Sequence, residues 1–448
     1  MPSANAGTSL ATPIADRIKA LYHKIDQRYR CYYPSERRRT GGNRRVPQEE
    51  FRAGRGTRRS DRRCRSRGLR LLFVWGFAIN DSSSWFQRFL LPGFAFKAVI
   101  IGGGYATGRE LAEFFLPAGP WGGLAAMVLA MVLWSIIAAV TFAFARLIDA
   151  RDYRSFFGGL LGPGWIVFEF AYLLFVILIL AVFGAAAGAI GAGMFGLPPL
   201  VGTALLALSI AGFAAFGNDS VEGLFKYVSF LLYGVYAIFL VLALTSFGDR
   251  IAANFDLPAS SDGWALGGIT YAAYNVIGAV VILPVLRHLI STRDAVVSGL
   301  IAGPLAMAPA ILFFCCMIAF YPGTQTETLP SNFMLERLNA PLFHLIFQLM
   351  IFAALLESGT GAIHAINERL AGAWKARRGV ELGTRTRGTV ASVLLIICMF
   401  VADRVGRVAL IAKGYRALAV IFLAVYVVPL LTIGVYELVR ARKPVEVV

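Results

Sequence analysis

The sequence predicts an all-α membrane protein of about ten transmembrane helices, arranged as a five-plus-five inverted repeat with breaks in the first and sixth helices. Three observations predict it. Of the 448 residues 57% are hydrophobic, and helix-length apolar runs recur with only short polar gaps, whereas soluble domains interrupt apolar sequence every few positions. The first run contains four glycines in seven residues, Gly102-Gly103-Gly104-Tyr105-Ala106-Thr107-Gly108. Five runs later, Tyr274-Asn275-Val276-Ile277-Gly278, with Pro284 beyond, marks a second discontinuity.

Bilayer hydrocarbon about 30 Å thick needs roughly 20 residues of helix. Apolar runs of that length place helices near 88–116, 120–146, 164–194, 198–217, 221–247, 264–290, 293–320, 341–371, 388–403 and 414–439. The transporter-like domain is therefore expected over 85–440, with a short tail at 441–448. Gly184, Gly188, Gly191 and Gly193 in the third helix are small residues that let helices approach closely in lipid.

The net charge of +17 is concentrated in one tail. Residues 1–70 hold 19 Lys and Arg against 6 acids, which leaves +4 for the rest. Residues 1–80 lack the apolar periodicity of a folded domain and read as a disordered Arg-rich tail. Three readings of it stand: attraction to anionic head groups or nucleic acid, plain solvation, or a stretch upstream of the true start. As the helices far exceed what an anchor for a basic tail needs, no nucleic-acid partner is expected. The five cysteines show no CxxC spacing, and the histidines no HExxH, so neither a disulfide framework nor a metal centre is indicated. No soluble-enzyme motif is present.

Basic residues fix the expected orientation. With the amino terminus cytoplasmic, fifteen Lys and Arg fall in inner loops and five in outer ones, the positive-inside pattern of a multi-pass cell (inner) membrane protein with both termini in the cytoplasm.

Glycine is among the weakest helix formers, so the first helix is expected to unwind at 102–108. Unwound backbone at membrane depth survives only where it is buried in protein or lines a cavity. Arg109, Glu110 and Glu113 follow directly, and charged side chains do not face lipid. Because five is odd, a repeat of five helices re-enters the membrane in the opposite sense. The first and sixth helices thereby become symmetry partners, the pattern of secondary transporters.

The run from Gly102 through Glu110, followed by Phe114-Phe115, resembles the first-helix motif of the uncharacterised YkvI-type membrane proteins, a likeness extending over about 88–439. That family is placed with the amino acid/polyamine/organocation transporters, so the resemblance implies their LeuT-like fold. Arg109 stands where the family pattern more often has Gln.

Two sets of residues carry the expected chemistry. Gly102, Gly103, Gly104 and Thr107 allow close approach of a solute to the free N–H groups of a helix beginning near Thr107, which suits a carboxylate. Asn275 adds an amide, and Tyr271 and Tyr274 an aromatic wall. In the eighth helix, Glu357-Ser358-Gly359-Thr360 puts a carboxylate and two hydroxyls near one depth. Resemblance to the superfamily implies a sodium ion there, held by Ser358, Thr360 and carbonyls around Ile101 and Gly102. Alternatively Glu357 binds and releases a proton, or pairs with a base such as Lys97 and locks helices.

The expected function is a cation-coupled secondary transporter, using sodium or protons, of a small carboxylate-bearing metabolite such as an amino acid. Its partners are the lipid bilayer, that solute and the coupling ion, with no cofactor beyond a sodium ion. The alternative is a non-transporting ligand sensor on the same scaffold, as the membrane subunits of spore germinant receptors resemble this superfamily.

Overall fold

In lipid every backbone polar group must be satisfied within the protein, and the described residues do this with helices. The computed structural model describes residues 84–100, 103–216, 218–380, 383–405 and 407–441, and they contain no strand. The tail 1–80 and residues 442–448 lie outside the described residues, as do Ile101 and Gly102.

Eight helices among the described residues are long and apolar enough to cross a membrane. The shorter apolar helix Pro199–Ala214 and the interrupted first segment bring the number to about ten. The first segment is built from Leu91–Ile100, Gly103–Ala106 and Arg109–Phe114. The sixth is Trp264–Asn275, Gly278–Val281 and a 3-10 stretch, Leu283–His288, that starts at Pro284. Both breaks therefore fall at the predicted positions. Gly108 has φ of 77° and caps the last piece of the first segment, Arg109–Phe114, a left-handed conformation that glycine adopts without steric cost.

Two short helices were not expected from periodicity, Tyr153–Leu161 and Pro330–Arg337. They lie between the second and third segments and between the seventh and eighth, corresponding places in the two halves. The first is capped by Asp152, whose Oδ1 accepts from the N–H groups of Arg154 and Ser155 at 2.9 Å each. The second carries proline in its first turn.

The second and seventh segments, also symmetry partners, pack at glycine. A Cβ at Gly299 would stand 2.4 Å from the Ala139 backbone, and one at Gly303 2.2 Å from the Ser135 Oγ. The Ser135 hydroxyl donates to the Leu300 carbonyl at 2.9 Å. At the end of the seventh segment nearest the chain's start, Asp294 accepts from Arg88 through Nε at 2.9 Å and Nη2 at 2.8 Å. Asp294 also closes a capping box with Ser291, so one carboxylate both starts the seventh helix and holds the first segment to it.

Candidate functional site

The two breaks and the middle of the eighth segment enclose one cavity of about 380 Å³. Its polar lining is Tyr105 and Glu110 from the first segment, Tyr274 and Asn275 from the sixth, and Glu357 and Ser358 from the eighth, with Tyr172, Tyr233 and Tyr415 from the third, fifth and tenth. Among the described residues the lining contains two carboxylates and no Lys, Arg or His. The remaining wall is apolar, so the polar groups are few and convergent, as a small-solute site requires.

Glu110 is held in place. It sits in the first turn of Arg109–Phe114, where the helix dipole favours an anion, and its Oε2 accepts from the Tyr274 hydroxyl at 2.7 Å. That bond joins the two broken segments across the cavity. The Tyr274 ring packs tilted against Tyr415 with centroids 4.4 Å apart and against Phe114 at 5.6 Å. Asn275 Nδ2 donates to the Tyr271 carbonyl at 3.2 Å, leaving its Oδ1 for the cavity. Lys97, considered as a partner for Glu357, has its Nζ 4.6 Å from the centroid of Tyr233, a ring on the same cavity.

One turn beyond Glu110, charge closes one end of the site. Arg109, 4% exposed, donates to Glu113 Oε2 at 2.8 Å and to the carbonyls of Gln325 and Glu327 at 2.7 and 3.0 Å. Arg416 of the tenth segment donates to the other Glu113 oxygen at 3.0 Å. The loop helix Pro330–Arg337 docks on the first break, its Ser331 N–H donating to the Thr107 carbonyl at 3.1 Å. Removing the anion as Glu113→Gln should lower the melting midpoint through a buried guanidinium left under-satisfied, at roughly 1–3 kcal/mol. Arg416→Gln should change it by less than about 1 kcal/mol, because Arg416 is 62% exposed. Equal effects of the two in a melting assay would count against Glu113 as the anion of Arg109.

Of the residues singled out in the sequence, Tyr274, Asn275, Glu357 and Ser358 line the cavity. Gly103 and Gly104 lie in the short helix Gly103–Ala106 of the first segment, and Thr107 is buried with its carbonyl taken by the loop helix. Tyr271 is buried among Phe114, Phe115, Trp134 and Tyr274 rather than on the cavity. Thr360 is fully buried behind the lining. Ile101 and Gly102 lie outside the described residues. Sequence reasoning did not assign Glu110, Tyr105, Tyr172, Tyr233 or Tyr415. Glu110 alone carried a signal, a carboxylate at membrane depth.

No family model matches the chain. It is similar to the uncharacterized membrane protein YkvI of Bacillus subtilis (strain 168), 24% identical over 283 residues that cover 62% of this chain and 79% of that protein. In three dimensions it resembles a Na+-coupled sialic acid symporter solved substrate-bound and outward-open, with a TM-score of 0.50 and 13% identity over 79% of this chain and 82% of the other. MhsT in complex with L-phenylalanine gives a TM-score of 0.47 at 16% identity, covering 80% and 98%. By sequence the chain is a relative of YkvI, and its fold is the LeuT-like one of broken first and sixth helices.

Proposed function

We propose that the protein is a cation-coupled secondary transporter of a small, carboxylate-bearing metabolite of amino-acid type, working by alternating access about its two helix breaks. The observation that carries this reading is one cavity bounded by both breaks and by Glu357 and Ser358. A solute there would meet the elements that must rearrange when a transporter changes face. A zwitterion suits the walls, with its ammonium toward Glu110 and its carboxylate toward the backbone of the first-segment break. The coupling ion, sodium or a proton, is assigned to Glu357, Ser358 and Thr360, with carbonyls around Ile101 and Gly102. With both termini cytoplasmic, the closed end at Arg109, Glu113 and Arg416 is the outer one, and the cavity reaches inward past Ala98 and Val281. Coupling is then differential affinity of the ion for the two states.

The test is thermal stability of the purified protein in sodium against potassium and across pH, with a panel of amino acids and carboxylates. A ligand at about 100 times its Kd stabilises the folded state by roughly 2.7 kcal/mol. Sodium-dependent stabilisation by one solute, lost in Thr360→Ala, supports sodium symport. Stabilisation without sodium that follows pH and is lost in Glu357→Gln supports proton coupling. A response to a solute with no response to any cation favours a ligand sensor, and no response to either sinks the transport reading.

A further inference from the structure

The eighth segment carries a second polar feature behind the cavity wall. Glu357, Thr360, His364 and Asn367 recur at spacings of three, four and three residues, which on an α-helix is a single stripe. At 1.5 Å per residue it runs roughly 15 Å from the cavity toward the helix's carboxyl end. Glu357 lines the cavity, and Thr360 and Asn367 are fully buried. Yet the Thr360 hydroxyl, the His364 Nδ1, and both the Oδ1 and Nδ2 of Asn367 have no hydrogen-bond partner among the described residues.

The Thr360 hydroxyl departs from the habit of this chain. A helical hydroxyl readily satisfies itself on the carbonyl four residues back, and Thr141, Thr203, Ser209, Thr245, Thr389 and Thr432 all do so. Thr360 sits in the same helical geometry and does not. Buried polar groups are nearly always paired, because an orphan loses its hydration with nothing in return. Four such atoms on successive turns of one helix face are therefore compensated by something other than protein. Hydroxyl, imidazole and amide offer both donors and acceptors at a repeat of about one helical turn, the complement of a chain of water molecules that each take about three hydrogen bonds.

We propose that a file of bound water runs along Thr360, His364 and Asn367, connecting Glu357 in the cavity with the aqueous phase at the carboxyl end of the eighth segment. Its use, as the route by which the ion held at Glu357 reaches solution, rests on the transport reading; the water itself does not.

The experiment is thiol labelling of full-length Thr360→Cys, His364→Cys and Asn367→Cys in liposomes. The reagent is a permanently charged methanethiosulfonate, with each site read by peptide mass spectrometry so that the native cysteines stay in place. Leu355→Cys, at a fully buried position of the same helix on another face, is the control. The three stripe positions should react at least about tenfold faster than position 355, since a thiol reacts as its hydrated thiolate. Hydroxyl-radical footprinting of the unsubstituted protein guards against disturbance by the substitutions and should oxidise His364 from water bound beside it. Stripe thiols no faster than Leu355→Cys, together with an unoxidised His364, would overturn the file whatever the thermal screen shows. Fast labelling in a protein that responds to no solute or cation would support the file and remove its transport role.

Discussion

Glu357→Gln should abolish cation-driven accumulation of the solute in proteoliposomes while leaving solute exchange within about threefold of the parent, a split set by a coupling free energy of 1–3 kcal/mol that is worth up to roughly 100-fold. The substitution keeps the volume and shape of the side chain and removes its charge and its proton. A carboxylate at membrane depth costs about 2.5–3.5 kcal/mol on insertion scales, so its retention on the cavity wall beside Ser358 calls for a task that an amide cannot perform. Exchange needs only a cavity that opens to both sides; accumulation also needs the ion to bind one state more tightly. Paired uptake and counterflow assays separate the two. Loss of both would make Glu357 a solute-binding or structural residue, and retention of driven uptake would move the coupling role to Glu110.

The largest stability effect is expected at the contact of the second and seventh segments. Gly303→Val should leave little monodisperse protein in detergent, because its branched side chain would start 2.2 Å from the Ser135 Oγ and 2.4 Å from the Met131 carbonyl. Overpacking of this kind costs typically 1–3 kcal/mol where neighbours can shift. Two of the three nearest atoms, the Met131 carbonyl oxygen and the Ser135 nitrogen, are backbone, and Gly299 one turn earlier meets the Ala139 backbone at 2.4 Å, so the helices cannot slide to relieve one site without worsening the other. Gly212→Val, where nothing lies within 4 Å of the added carbon, should elute like the parent. Comparable size-exclusion profiles for the two variants would mean that the glycines of the seventh segment do not set the helix spacing.

The fold was legible because its signals are those that lipid enforces. Apolar length gave the spans, and the glycines of 102–108 and the Asn275-to-Gly278 stretch gave the breaks, since a helix former would have hidden them. The helices Tyr153–Leu161 and Pro330–Arg337 were missed because each is too short to show a periodic face, although Asp152 with Ser155 was a readable cap. The site was legible only in part. Glu357 and Ser358 announce themselves as polar groups in an apolar run, and Asn275 likewise. Tyr172, Tyr233 and Tyr415 do not, because an aromatic ring in an apolar helix is usually packing and only the convergence of six segments makes these three into walls. Tyr271 fails for a geometric reason. It stands three residues from Tyr274, about 300° around the helix, and that difference turns its ring into the cluster of Phe115 and Trp134.

The tenth segment is interrupted by π-helical turns at Leu410–Gly414, Leu423–Val427 and Leu430–Gly434. A π turn accommodates an extra residue within a helix, so the first of them sets the phase in which Tyr415 reaches Tyr274. Deleting one residue from 410–414 would turn five π-helical residues into four α-helical ones that rotate through nearly the same angle, so the Tyr415 ring would stay on the cavity. The same deletion in a regular α-helical stretch would rotate everything beyond it by about 100°. When related chains are aligned across this segment, a one-residue gap at 410–414 is thus compatible with an unchanged cavity wall, whereas one elsewhere in the helix is not.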